Sequence, residues 1–373
     1  MFLDVLGFTI LIPLLPFFAK RFSGGDVTAG ALITTTALCA TLSSPAWGAF
    51  SDRFGRKRAL LGSQVFSFAG YVLLATAGTL PLLFVSRAIE GLGGGNLGVA
   101  NSYIADVTTE EQRPQAFALA TAFFGAGFVL GPILGGALAG FGFVAPFAFA
   151  AALQLVNAIL TATLLNESKS AQSPPFRLRN LHEILRTPAA GDLLLQRFLY
   201  IFAFTYFFTT FGLFTSEVLR AGPGTASILL AVAGAVGAAT QVGLVGPLVA
   251  RFGLQTVVRA AFAVGVVAYA LLGFVTTMTA FVCYVLVWAL GGSLLRPALD
   301  ARLVALVPEA ERGAVLGLGD ALDNLSLIVA PTLGAAIVGV APRALGVVPG
   351  VALAAGFWLA SRRPQAHSFF GVR

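Results

Sequence analysis

Apolar runs long enough to cross a bilayer recur along the whole chain, at about 2–19, 27–50, 59–78, 81–105, 114–140, 143–165, 192–217, 224–250, 256–277, 279–304, 313–340 and 344–361. A helix needs roughly 20 apolar residues to span the hydrocarbon core. In lipid the backbone must satisfy its own hydrogen bonds, which leaves only helices and closed barrels. Barrel strands alternate polar and apolar residues, and these runs do not. The expected fold is therefore an all-α integral membrane protein of twelve transmembrane helices. Composition points the same way, with 57% hydrophobic and only 10% charged residues, where a soluble domain carries about 25% charged.

The net charge of +7 invites a nucleic-acid reading, but its placement argues against one. Assigning the loops alternately to two sides puts sixteen Lys and Arg on the side of Arg53, Arg56, Lys57 and Arg58, against Lys20, Arg21, Arg220 and Arg343 on the other. Basic loops stay cytoplasmic, so this asymmetry orients the chain with both termini in the cytoplasm. No nucleic-acid partner is expected. Cys39 and Cys283 fall inside spans and are expected as small buried apolar residues. No charged leader precedes the first span, so no cleavable signal peptide is expected. Met1 sits directly at that span, which implies either a start further upstream or a clipped first helix. Few Lys, much Arg, and many Ala and Gly suggest a GC-rich bacterial genome, and the expected location is the bacterial inner membrane.

The chain repeats itself. Gln112–Pro132 aligns without gaps onto Glu311–Pro331 at an offset of 199, and Phe54-Gly55 meets Phe252-Gly253 at an offset of 198. Two six-helix bundles are expected, 1–165 and 191–361, joined by a cytoplasmic linker over 166–190 and followed by a tail over 362–373. In the linker, Phe176, Leu178, Leu181, Ile184 and Leu185 fit one face of a short surface helix as well as they fit a plain connector.

Several motifs stand in a fixed order. Gly48–Leu61 reads GAFSDRFGRKRALL, Asp4–Pro16 reads DVLGFTILIPLLP and Arg87–Gly94 reads RAIEGLGG. Tyr103–Asp106 and Arg113 follow, and Gly127–Gly136 reads GFVLGPILGG. The first is similar, almost position for position, to the cytoplasmic signature loop of the major facilitator superfamily. The others resemble motifs of its drug:proton antiporter branch, with tetracycline-type efflux pumps and vesicular amine transporters as the nearest groups. The resemblance covers nearly the whole chain and implies the twelve-helix major facilitator fold. It implies a gating set of Asp52, Arg53, Gly55, Arg56, Lys57, Asp106 and Arg113, with an Asp52–Arg56–Asp106 relay. It also implies an antiporter motif of Gly127, Gly131, Pro132, Gly135 and Gly136. Ala250 stands where a second signature loop would repeat Asp52, so the gating charges are expected in the first half.

The residues carry a physical reading beside this. Asp52 sits where it can face the positive dipole end of the eleventh span near Gly313. The glycine stripe at helical spacing down the fifth span lets backbones approach closely, with Pro132 allowing a bend, and is expected to pack against the opposite half. Charges inside spans are costly and mark function. Candidates for proton coupling are Asp320 first, then Glu90 and Asp4, with Asp323 and Arg87 beside them. Asp320 precedes Pro331 at the spacing of the coupling acid in amine transporters. Glu90 replaces the Gln usual in the family and either neutralises Arg87 at i, i+3 or adds a proton site. Arg197, Arg296 and Asp300 lie toward span ends and are expected to snorkel to the interface. His182 and His367 lie outside the spans, which leaves carboxylates as proton carriers. Tyr200, Tyr206, Gln241, Asn96 and Trp288 are candidate linings of a substrate cavity near the midplane between the halves.

The expectation is a secondary active transporter, a proton-coupled antiporter exporting small amphipathic drugs or organic cations by alternating access. The alternative is proton-coupled transport of a sugar, an amine or another metabolite, and a non-transporting membrane scaffold is a further one. No ATP-binding loop is visible, and no enzymatic activity, metal or cofactor is expected. The partners are a small-molecule substrate, protons and the lipid bilayer, with the chain acting as a monomer.

Overall fold

The computed structural model describes residues 1–22, 24–109, 111–168, 188–306 and 312–362. The expected surface helix in the linker, His182, His367 and residues 363–373 of the tail lie outside the described residues. All twelve apolar runs fall on helix, and three of them are broken. The first run forms α1 (Phe2–Leu11) and α2 (Leu15–Arg21), bent by 48°. Pro13 lies at that break, and it cannot donate to the carbonyl of Thr9. Next come α3 (Asp26–Phe54) and α4 (Arg56–Thr76). The fourth run divides into α5 (Leu80–Gly94) and α6 (Leu97–Val107), just where three successive glycines lower helix propensity. Helices α7 (Arg113–Ala139), α8 (Val144–Leu164) and α9 (Pro188–Glu217) follow. The eighth run splits into α10 (Pro223–Gly243) and α11 (Val245–Phe252), because Pro247 cannot donate to the carbonyl of Gly243. The last four runs give α12 (Leu254–Leu272), α13 (Met278–Ala305), α14 (Arg312–Val340) and α15 (Val347–Arg362).

Among the described residues, nine helices are individually long and apolar enough to cross a bilayer, or ten with the bent α1–α2 pair. Their outward faces are apolar, with Leu42, Leu164, Val242, Phe274 and Val340 exposed, as lipid rather than water requires. The internal repeat is visible in the backbone. Gly55 (φ 104°) and Gly253 (φ 78°) each end one helix and begin the next with a left-handed φ. Both α7 and α14 carry an internal proline, Pro132 and Pro331.

The chain forms two compact units. The first comprises Met1–Pro175, Thr209–Gly234 and Leu327–Val340, and the second Phe176–Phe208, Ala235–Ser326 and Ala341–Arg373. In the first unit, α4 packs on α5 and α8, α3 on α5, and α1 on α7 and α8. The first unit also takes in the C-terminal end of α9, the N-terminal end of α10 and the C-terminal end of α14. There Lys20 pairs with Glu217 and reaches Asp26 at 3.5 Å. The Thr34 hydroxyl donates to the Ile328 carbonyl at 2.7 Å and lies 2.9 Å from Thr332 Oγ1. In the second unit, α12 packs on α13 and α15.

Candidate functional site

The signature loop folds into a bonded knot on the basic side of the first unit. Arg56, buried at the start of α4, donates to Asp52 Oδ1 at 2.6 Å, Ser51 Oγ at 2.9 Å and Asp106 Oδ2 at 3.1 Å. One guanidinium thus joins the ends of α3, α4 and α6, and three fixed donors suit arginine better than lysine. Arg113 donates from Nε to the Ala105 carbonyl at 3.3 Å, and Arg53 lies over the Phe54 ring.

Sequence reading missed the contribution of Glu167 and Ser168, just beyond α8. The Glu167 carboxylate accepts from the Lys57 amide at 3.0 Å, which places an anion on the otherwise unsatisfied N-terminal donors of α4. Lys57 Nζ returns to the Ala162 carbonyl at 2.7 Å, and the Arg56 amide lies 3.5 Å from the Ser168 carbonyl. A Cβ on Gly55 would run into the Glu167 carboxyl group. Glycine at this position is therefore required twice, for its φ and for that approach.

The glycine stripe of α7 does not pack as expected. Gly127 faces Val5, Gly131 faces Thr9, and Gly135 faces the Ile10 carbonyl, all on α1 of the same repeat. The Thr9 hydroxyl lies 2.8 Å from both the Val5 and Gly127 carbonyls, tying the two helices together. Of the four glycines, Gly136 meets the second repeat, where a Cβ would lie 2.6 Å from Ser227 Cβ on α10. Pro132 is buried within the helix. The correction has a simple cause: a stripe of small residues records close approach without naming the neighbour.

Within the spans of the first unit, Arg87 and Glu90 are buried one turn apart on α5, with Arg87 Nη1 3.6 Å from Glu90 Oε2. The Tyr71 hydroxyl donates to Glu90 Oε1 at 3.2 Å, and the Arg87 guanidinium lies 5.4 Å from the Tyr71 ring centroid. These two opposite charges compensate each other. Asp4 accepts from Asn157 at 3.0 Å and lies 2.9 Å from the Met1 amino group. Asn96 is buried and donates to Ser63 Oγ on α4 at 2.9 Å, a contact inside the first bundle.

The second unit brings together what the sequence kept apart. Arg197 of α9 meets Asp300 of α13 at 3.0 Å, and Asp320 and Asp323 of α14 at 2.6 and 2.9 Å. Arg296 of α13 lies 3.5 Å from Asp323 and 3.9 Å from Asp300. Arg197 does not snorkel: its side chain is 2% exposed, against 45% for Arg296. It follows Pro188 by nine residues on α9, which places it about 14 Å along the helix. Its burial is bearable because carboxylates from two other helices surround it. Exposure across the acids is graded, from 61% at Asp320 through 29% at Asp300 to 15% at Asp323.

One turn beyond Arg197, Tyr200 enters a small cavity of about 20 Å³ shared with Phe204, Tyr269, Trp288, Gly292 and Leu353. Phe204 and Trp288 stack at 5.2 Å and 8°. Trp288 is held by donating from Nε1 to the Tyr269 hydroxyl at 2.9 Å, and that hydroxyl donates to the Ala203 carbonyl at 2.8 Å. Tyr200 lies within electrostatic reach of Arg296, Asp323 and Asp300, so the aromatic cavity and the charge cluster adjoin. Tyr206 is fully buried nearby on α9, whereas Gln241 is exposed on α10. Cys39 is half-buried and Cys283 is exposed on α13, contrary to the expected burial. A thiol is apolar enough to face lipid as readily as a neighbouring helix.

Comparison with known proteins agrees with this architecture. The chain is 32% identical over 345 residues to the class C tetracycline resistance protein of Escherichia coli, covering 90% of this chain and 87% of that one. It is 31% identical over 348 residues to multidrug resistance protein 2 of Bacillus subtilis, covering 89% and 85%. Its fold superposes with a TM-score of 0.81 on the crystal structure of a bacterial homologue of the human lysosomal transporter Spinster in an inward-facing and occupied conformation. That pair shares 16% identity, over 97% of this chain and 94% of that one. The sequence model of the Major Facilitator Superfamily matches residues 1–288 and 193–371. With twelve apolar runs, a doubled backbone pattern and that match from end to end, the chain belongs to the Major Facilitator Superfamily.

Proposed function

We propose that this transporter exports small amphipathic organic cations in exchange for protons, by alternating access in a bacterial inner membrane with both termini in the cytoplasm. The observation that carries the reading is the juxtaposition, inside the second unit, of an aromatic cavity and a cluster with three carboxylates. Ring faces attract cations and stack on planar apolar bodies. Carboxylates in a partly dry site take up and release protons as their surroundings change. Names of the relatives, tetracycline and multidrug resistance, support the substrate class.

Asp320 and Asp323 are the proton carriers in this reading, with Asp320 at the exposed edge and Asp323 deeper. Glu90 is, in this reading, the ion-pair partner of Arg87. Arg56, held by Asp52 and Asp106, anchors the gate on the basic side. Contacts of Lys20 with Glu217 and of Thr34 with α14 form the opposite, outer gate, drawn closed. The test is uptake of a fluorescent cationic dye into everted vesicles with an acid lumen, where the cytoplasmic face points outward. Dye movement driven by the wild-type chain and collapsed by a protonophore is expected. Transport of a sugar or another metabolite alone, with every cationic dye ignored, would reassign the substrate.

A further inference from the structure

Arg197 has no part in the reading above beyond its place in the cluster, yet it is the most enclosed charge in it. All of its recorded ion pairs go to the three aspartates, and its Nε has no hydrogen-bond partner. A Cβ on Gly319 would run into the guanidinium, so the backbone of α14 lies against it. We infer that Arg197 is a positioning residue, a built-in counter-cation that sets the pH at which Asp300, Asp320 and Asp323 exchange protons. This rests on the reading of the cluster as the proton site.

Arginine keeps its own proton at any physiological pH. Titration of the cluster therefore falls on the aspartates, and Arg197 fixes how readily they give up charge. The groups facing one another are Arg197 and Tyr200 on α9, Arg296 and Asp300 on α13, and Asp320 and Asp323 on α14, with Tyr269 of α12 behind Tyr200. Two cations face three anions. A proton arriving at exposed Asp320 releases Nη2 of Arg197 to Asp323 alone, so the deeper acid senses the outer one through a single guanidinium. Arg296 cannot substitute, since it is nearly half exposed and stands farther from every carboxylate it reaches.

The test is an infrared pH titration of the purified full chain in lipid, following the carbonyl stretch of protonated carboxyl groups. Asp320→Asn/Asp323→Asn should remove most of the titrating band and so assign it. Arg197→Gln should move the midpoint up by about one pH unit or more, because loss of a neighbouring cation favours the neutral acid. Arg197→Gln/Asp323→Asn restores the charge balance and should bring the midpoint back toward wild type. Arg197→Lys keeps the charge but not the bridging geometry and should fall between. Where Arg197→Gln alone fails to fold, Arg197→Lys carries the same comparison, with a smaller upward shift expected.

A midpoint that stays within a few tenths of a unit of wild type in Arg197→Gln, or in Arg197→Lys where Arg197→Gln does not fold, would overturn the inference, leaving Arg197 a structural residue. A band untouched by Asp320→Asn/Asp323→Asn would overturn it as well. Neither readout involves substrate, so failure of the export reading would show separately, as absent dye transport with the infrared shifts intact.

Discussion

Gly55 shows how much one residue can hold. Its φ of 104° lies where side chains are strained, and its missing Cβ makes room for Glu167. Gly55→Ala should cost about 1–3 kcal/mol through backbone strain alone. Loss of the carboxylate at the start of α4 adds to that. Gly253→Ala shares the strain, but no side chain stands within 4 Å of its Cβ position. Thermal unfolding in detergent should therefore drop further for Gly55→Ala than for Gly253→Ala. Equal drops would mean the Glu167 contact contributes nothing. Glycine in the motif was legible from the sequence, whereas Glu167 was not, since it joins the loop from 110 residues away.

At the level of helices, the run lengths gave reliable spans, and the breaks follow residues that cannot continue a helix. Pro13, the Gly93–Gly95 run and Pro247 account for all three interruptions. What the pattern could not supply was the partner of each face. The α7 glycines look alike in sequence, yet Gly131 meets α1 and Gly136 meets α10. Contact between α3 and α14 is equally silent in the sequence, because Thr34 and Thr332 are ordinary span residues 298 positions apart. Their hydroxyls, 2.9 Å apart, make a direct test of the outer gate. In a background with Cys39 and Cys283 replaced by serine, Thr34→Cys/Thr332→Cys should cross-link under mild oxidation and stop transport until reduced. Cross-linking that leaves transport at full rate would show that α3 and α14 need not part there.

Across the whole molecule, the sequence declared its duplication and its motifs clearly, and its central charge cluster poorly. Asp320 and Asp323 stood out as acids inside a span. Arg197 lies near the start of the seventh apolar run, at 192, whereas α9 itself begins at Pro188. An ion pair spanning 123 residues of chain leaves no local periodicity to read. The central claim is that this cluster couples export to proton entry. The direct measurement is substrate-triggered proton flux in proteoliposomes holding the purified chain and a trapped pH dye, for wild type, Asp320→Asn and Asp323→Asn. Cationic drug should trigger flux in the wild type, and both variants should lose it while still folding and binding the drug. Full flux in both variants would contradict the claim and move the coupling site elsewhere in the chain.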